Sequence, residues 1–304
     1  MQNKYIIEES AMKLSWQMVL VEKLKDYYQL TKFTLSFTVV FSCVIAYLLV
    51  PGLEVYFWKV LLLFVGGLCI TGAANAINQI IERGSDAKMY RTKKRPLPAG
   101  RMGLTEAIVF ASIACLGGIL LMGFVFNWLS AVLALFSVIL YGFVYTPWKK
   151  WNSFAVFIGA FPGAFPTLIG WVAGAGVMSY GGWILFAIQF LWQFPHFWAI
   201  GWVAYEDYKR AGFKLLPSSK GKDGFSALQA VTYTAMLIPV GFLPFYYSIS
   251  GIYSAVIILL ANVYLLFLAV ELYRYRDVAH ARRLMFGAYI YFVIVQLALL
   301  ADKV

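Results

Sequence analysis

Charge is scarce in this chain. Only 13% of its 304 residues are Asp, Glu, Lys or Arg, while 62% are hydrophobic. A soluble domain carries about twice that share of charge, so this excess of apolar surface calls for lipid rather than a single watery shell. Cysteine is scarce as well: Cys43, Cys69 and Cys115 sit in apolar stretches and form no CxxC pair, which excludes a thiol-based zinc or redox centre. Linkers, low-complexity tracts and a clear internal repeat are missing. The first thirty residues lack the Arg-rich, acid-poor character of an organellar transit peptide, carrying Glu8, Glu9, Glu22 and Asp26 instead, and they contain no cleavable signal pattern. The expectation is a bacterial inner-membrane protein.

Long apolar runs are what the chain has in quantity. A helix crosses a bilayer in about 20 residues, and nine runs approach this length: 34–50, 57–81, 105–126, 128–145, 154–174, 183–204, 227–247, 253–272 and 284–301. Backbone in lipid must satisfy its own hydrogen bonds, so these are read as helices. The expected fold is all-α, a polytopic membrane bundle of about nine transmembrane helices. Of 25 Lys and Arg residues, all but Lys59 and Lys303 fall in loops on one side if the count is nine. Positive charge marks the cytoplasmic side, which places the N-terminus inside and the C-terminus outside. The net charge of +11 is thereby explained without nucleic acid. Residues 1–33 form an N-terminal cytoplasmic segment. Within it, residues 10–30 suit an interfacial helix, with Leu14, Met18, Val21 and Leu24 on one face. Residues 34–304 make one membrane domain.

The outer loops, such as 174–182, are short and almost uncharged. Two inner loops open with acids. In Asn78-Gln79-Ile80-Ile81-Glu82-Arg83-Gly84-Ser85-Asp86, three oxygen-bearing side chains recur every four residues and stack on one helix face, although Gly84 is a place for the helix to end. Two carboxylates and an amide are hard ligands suited to Mg²⁺, which commonly shares its coordination with phosphates. Lys88, Arg91, Lys93, Lys94 and Arg95 follow directly. A basic loop alone is more often a topology anchor. Acids at a span end do not serve topology, so the pair of features reads as a diphosphate site. Glu206 and Asp207, followed by Lys209 and Arg210, form a second acidic site at the same face. Glu271 and Asp277 lie among arginines and are read as local ion pairs, and His280 as a surface residue.

Around these acids the chain resembles the UbiA-type membrane prenyltransferase superfamily, and within it the branch of heme O synthases. The resemblance covers roughly residues 27–220. It rests on Tyr27-Tyr28-Gln29-Leu30-Thr31-Lys32, on the Asn78, Glu82, Asp86 ladder running into Lys88-Met89-Tyr90-Arg91-Thr92 and Arg95-Pro96-Leu97, and on Tyr145-Thr146 with Trp148-Lys149. Most specific are Trp192-Gln193-Phe194-Pro195-His196-Phe197-Trp198 and Glu206-Asp207-Tyr208-Lys209-Arg210-Ala211-Gly212. Glu82 stands where Asp is commoner, and Ala204 and Tyr208 stand where other branches carry a spaced acid pair.

The resemblance implies a central cavity open near the inner face, farnesyl diphosphate as donor, protoheme IX as acceptor, heme O as product and Mg²⁺ as cofactor. Asn78, Glu82, Asp86 and Asp207 would be catalytic, holding the metal together with Glu206. Lys88, Arg91, Lys94, Arg95, Lys149 and Lys150 would bind diphosphate. Gln193, His196 and Tyr145 would form the acceptor region, with Pro195 kinking the sixth span. Partners would be a heme A-forming enzyme or oxidase assembly factors. An aromatic-acceptor prenyltransferase, an anion transporter and a non-catalytic heme-binding protein are the rival readings. The acids lie at span ends rather than at the midplane expected of transporter sites.

Overall fold

A computed structural model describes residues 18–304. Among the described residues, eight helices are long and apolar enough to cross a membrane, and a ninth span arises only if a bent pair is taken together. That pair is α1 (Met18–Leu30) and α2 (Phe33–Leu48), which meet at 53°. At 1.5 Å per residue, the 16 residues of α2 span about 24 Å, short of the roughly 30 Å hydrocarbon core. The protein is a polytopic membrane helix bundle, and among the described residues the one β feature is an isolated bridge, Ser250 to Lys303.

The remaining elements follow in order. They are α3 (Phe57–Asp86), α4 (Leu104–Val125) and α5 (Trp128–Ile139), which runs through a π-helical turn (Leu140–Tyr145) into α6 (Thr146–Trp148). Next come α7 (Ala155–Ala175), α8 (Tyr180–Val203), the short α9 (Tyr205–Arg210) and α10 (Gly224–Gly241). The chain ends with α11 (Leu243–Tyr246), α12 (Ile252–Tyr275) and α13 (Val278–Ala301). Two boundaries differ from the sequence reading in a way that matters. Helix α3 continues past residue 81 and through Gly84 to Asp86, because the face carrying the acids is held against neighbouring helices. Helix α8 is continuous through Pro195.

Helices α2, α3, the π turn, α7, α8 and α13 contact one another in a closed ring. In α7 and α8, 78% of the apolar window is buried inside the protein, against 22% in α4, so α4 leaves most of its surface to lipid. The ring tightens where α2 crosses α7. A Cβ on Gly170 would lie 1.9 Å from the Cys43 carbonyl oxygen, so glycine alone permits this approach. At the C-terminal end of α2 the chain's last residues are tied down, with Lys303 Nζ donating to the Leu48 and Val50 carbonyls at 2.7 and 2.8 Å.

The described part of the expected interfacial helix is α1; Leu14 lies outside the described residues. Met18, Val21 and Leu24 are exposed. The other side of α1 is polar and docked: Lys23 Nζ and Tyr27 Oη reach Glu106 at 2.9 and 3.0 Å, and Arg101 Nε donates to Asp26 at 2.9 Å. This hand-off from an apolar exposed face to a paired polar face fits a helix lying along the bundle rather than threading it.

Candidate active site

At the end of the bundle that carries the basic loops, α3 presents Asn78, Glu82 and Asp86 to the ring interior, all buried. The break before α2 is fastened to the same helix. Gln79 Nε2 donates to the Gln29 and Leu30 carbonyls, both at 2.8 Å, and Asn75 Nδ2 to the Thr31 carbonyl at 3.1 Å. These amides satisfy carbonyls that the end of α1 leaves free. Lys32, in a left-handed conformation (φ 47°), is thereby aimed inward and donates to Asn78 Oδ1 at 2.9 Å. Asn78 Nδ2 in turn donates to Thr146 Oγ1 at 3.0 Å. Thr146 Oγ1 bonds back to the Tyr141 carbonyl at 2.7 Å, which ties the π turn to the ladder.

Each carboxylate faces a cation. Arg95 Nη1 donates to Asp86 Oδ2 at 2.7 Å, and Lys149 pairs with Glu82. Asp86 Oδ1 is buried without a hydrogen-bond partner. Together with Lys32, Arg91, Tyr28, Tyr145 and Tyr208, these groups line a chamber of about 470 Å³. Behind it lies an apolar cavity of about 200 Å³, lined by residues such as Val40, Ile70, Met122, Pro166, Trp192 and Phe292. Leu35, Tyr141, Tyr145, His196, Phe197 and Tyr289 line both spaces. A charged chamber therefore opens through an aromatic neck into a greasy pocket.

The sequence reading is only partly gathered here. Arg91, Arg95 and Lys149 line the chamber, whereas Lys88, Lys94 and Lys150 are exposed and outside its lining. Tyr145 and His196 stand at the neck, and Gln193 lines the apolar cavity. Gln193 Nε2 is held by the Ala160 and Gln189 carbonyls at 3.1 and 3.0 Å.

The second acidic site departs most from expectation. Glu206 is exposed, and neither it nor Asp207 lines the chamber. Asp207 instead accepts the backbone N–H groups of Tyr90 and Arg91, each at 3.2 Å, and pairs with Arg210. Partial burial works to raise its pKa, but the Arg210 hydrogen bond and the two N–H groups outweigh it and hold the carboxyl below its ordinary value. Asp207 thus clamps α9 to the loop that presents Arg91. Glu271 pairs with an arginine, Arg283, at 4.0 Å, whereas Asp277 pairs with His280 at 2.8 Å and not with the arginines around it.

Sequence reasoning missed Lys32 and Tyr289. Lys32 sits in a stretch that carried the family resemblance, so a signal existed. Tyr289 lies in an apolar run with no distinguishing spacing. Among the described residues no group of three His, Cys, Asp or Glu side chains is close enough to hold a metal ion. The ladder offers two carboxylates and one amide oxygen.

Residues 39–293 match the model of the UbiA prenyltransferase family. The chain is 45% identical to the protoheme IX farnesyltransferase of Cytophaga hutchinsonii over 94% of its own length and 100% of that protein. It is 42% identical to the protoheme IX farnesyltransferase of Flavobacterium johnsoniae, covering 91% and 94%. Among solved structures, a digeranylgeranylglyceryl phosphate synthase superposes with a TM-score of 0.77 at 24% identity, covering 92% of this chain and 98% of the other. A UbiA homolog from Archaeoglobus fulgidus, bound to GPP and Mg²⁺, gives 0.70 at 15% identity, covering 91% and 99%. These last two speak for the fold. With most of the chain matched by the family model and by relatives well above 30% identity, the protein belongs to the UbiA prenyltransferase family.

Proposed function

We infer that this prenyltransferase moves the farnesyl group of farnesyl diphosphate to a vinyl group of protoheme IX, giving heme O. The observation that carries this reading is the continuity of a chamber lined by buried acids and bases with an apolar cavity. One substrate that is a dianionic or trianionic head on a hydrocarbon tail matches both halves. The choice of heme as acceptor is supported by the relatives named above.

Asn78, Glu82 and Asp86 would hold Mg²⁺. Their hard oxygen donors suit that ion, and the unpartnered Asp86 Oδ1 is a lone pair awaiting a cation. Mg²⁺ binds through one or two carboxylates and keeps waters and substrate phosphates, so the lack of a third acid is no obstacle. When bound, the ion supplies charge neutralisation to the departing diphosphate. Arg91, Arg95 and Lys149 provide fixed positive charge around the same anion, and such preorganised groups act where charge develops; Lys32, its pKa pushed down to about 7 by burial and by the Arg95 and Lys149 charges, becomes fully charged as the anion arrives. Lys88, Lys94 and Lys150 contribute to the field that draws the anion in. The neck aromatics Tyr141, Tyr145 and Phe197 surround the allylic carbon with π faces, which favour a cation. The apolar cavity keeps water from it before the acceptor reacts. Asp207 holds the Arg91 loop closed.

Positive-inside asymmetry puts the basic end, and the chamber, on the cytoplasmic side of a bacterial inner membrane, with the C-terminus outside. Residues 34–304 act as one membrane domain, with α1 in the interface. A heme A-forming enzyme or oxidase assembly factors would take the product onward.

The test is purified protein with protoheme, farnesyl diphosphate and Mg²⁺, its products read by mass spectrometry. Farnesylated heme formed only with Mg²⁺ supports the reading. Prenylation of an aromatic acceptor with heme untouched would sink the heme assignment while leaving the transferase.

A further inference from the structure

His196 lies on α8 and is only 4% exposed. Its ring stacks on Trp192 with centroids 5.1 Å apart and planes 11° from parallel, and meets Tyr289 edge-on at 4.4 Å. The Met285 backbone carbonyl, one turn before Tyr289 on α13, lies near the ring. Nδ1 has no partner at all. A neutral imidazole has one N–H and one lone pair. With no acceptor beside it to take a proton, Nδ1 is the nitrogen free to carry that lone pair. A buried polar atom left bare is uncommon and asks for a ligand or a role.

The place of this lone pair narrows the role. His196 lines both the charged chamber and the apolar cavity. The titratable groups lining the apolar cavity are Cys43, Tyr141, Tyr145, His196 and Tyr289. Thiols and phenols keep their protons near neutrality, so the imidazole is the one base among them. The proposed reaction needs such a base late rather than early. Ionising the diphosphate requires no proton transfer, and the vinyl group attacks as a neutral alkene. The closing step consumes water, and water that adds to a cation must lose a proton.

We propose that His196 Nδ1 accepts the proton of the water that ends the reaction; this rests on the heme reading above. The farnesyl C–O bond breaks and its electron pair leaves on diphosphate. The vinyl π pair then forms the new C–C bond to farnesyl C1, which moves the positive charge to the vinyl carbon attached to the macrocycle. A water lone pair forms the C–O bond there, one O–H bond breaks, and the proton passes to Nδ1. The imidazolium later releases it through the polar chamber. The sum is donor, heme and water in, and hydroxyethyl-farnesyl heme, diphosphate and a proton out, with no oxidant required. Without the base, the same cation sheds a proton from its neighbouring carbon and gives an alkene lighter by one water.

The experiment compares wild type with His196→Gln, which keeps a polar side chain at the position, and His196→Phe, which keeps a ring against Trp192. Products are read by mass spectrometry, heme binding by the Soret band, and folding by thermal melting. Both variants are expected to form farnesylated heme more slowly than wild type, with the Soret maximum of bound heme unmoved. Their ratio of hydrated to dehydrated product should fall at least tenfold. An unchanged ratio in either folded variant overturns the proposal. A shifted Soret band with lost heme affinity also overturns it, since His196 would then be an iron ligand. Failure of wild type to farnesylate heme, with another acceptor prenylated, removes the heme reading itself and is seen in the wild-type arm alone.

Discussion

Asp86 and Arg95 meet at 2.7 Å with the carboxylate wholly buried, yet the second carboxylate oxygen has no partner. One oxygen is thus engaged by the guanidinium while the other stays available. Asp86→Asn preserves the shape but removes the negative charge, and Asp86→Ala also strips Arg95 of any oxygen partner there. Removing a group aimed at developing charge costs about 10²–10³ in turnover, so both variants should lose at least that much Mg²⁺-dependent diphosphate release. Breaking a buried pair costs about 3–5 kcal/mol. Asp86→Ala should therefore melt at a lower temperature than Asp86→Asn. Equal turnover of wild type and Asp86→Asn would remove Asp86 from the metal-holding set.

Lys32 is a separate case, because its hydrogen-bond partner is an amide oxygen and not a carboxylate. Burial and the nearby Arg95 and Lys149 charges push its pKa down to about 7, so an arriving anion restores its full charge, and it faces the chamber. Lys32→Met should raise the KM for farnesyl diphosphate about tenfold, the loss expected of one charge-assisted hydrogen bond. Affinity for the porphyrin should change little. Steady-state kinetics with each substrate varied in turn would decide it; a change confined to the porphyrin would contradict the assignment.

The Asp207 clamp carries a pH signature. Its folded pKa is lowered, so the clamp contributes stability that is complete above the unfolded aspartate value of about 4. That contribution is lost as pH falls through the folded value. Acid should loosen the loop of residues 88–95 before it melts the bundle. Hydrogen exchange at the Tyr90 and Arg91 amides, followed downward from pH 6, should show earlier loss of protection in wild type than at amides of α8. Asp207→Asn should show that loss already at neutral pH, with a raised KM for the diphosphate. Metal affinity in the variant should match wild type; a large fall in Mg²⁺ affinity would return Asp207 to the metal site.

The helices were legible because lipid imposes one rule on the backbone; eight of the nine apolar runs obey it outright, and the first does so only as part of the bent α1–α2 pair. The ladder was legible too, since a four-residue spacing survives into any helix. What pattern could not supply was which basic side chains turn inward. Arg95 and Lys94 are neighbours in sequence with opposite fates, decided by how the 87–103 loop packs against Asp86 and Arg101. Asp207 was misplaced for a related reason. Its acid character is visible in sequence, but its partners, two backbone N–H groups 116 and 117 residues away, are fixed only by tertiary packing.

Two glycines of α7 separate structural from functional necessity. At Gly170 an added Cβ would lie 1.9 Å from the Cys43 backbone carbonyl, whereas at Gly163 it would lie 1.8 Å from Gln193 Oε1. The distances match, but the obstacles do not. A carbonyl in the body of α2 can yield only if two helices part, and overpacking of this kind costs about 1–3 kcal/mol. A glutamine amide can turn away, at the expense of its bonds to Ala160 and Gln189 and of free space in the apolar cavity. Gly170→Ala should therefore lower the melting temperature in detergent clearly, with kinetic losses that track the unfolded fraction. Gly163→Ala should melt near wild type, yet show a several-fold poorer kcat/KM for the acceptor with diphosphate KM unchanged. If Gly163→Ala proves as unstable as Gly170→Ala, Gln193 is held as rigidly as backbone, and its place in the acceptor region would be structural.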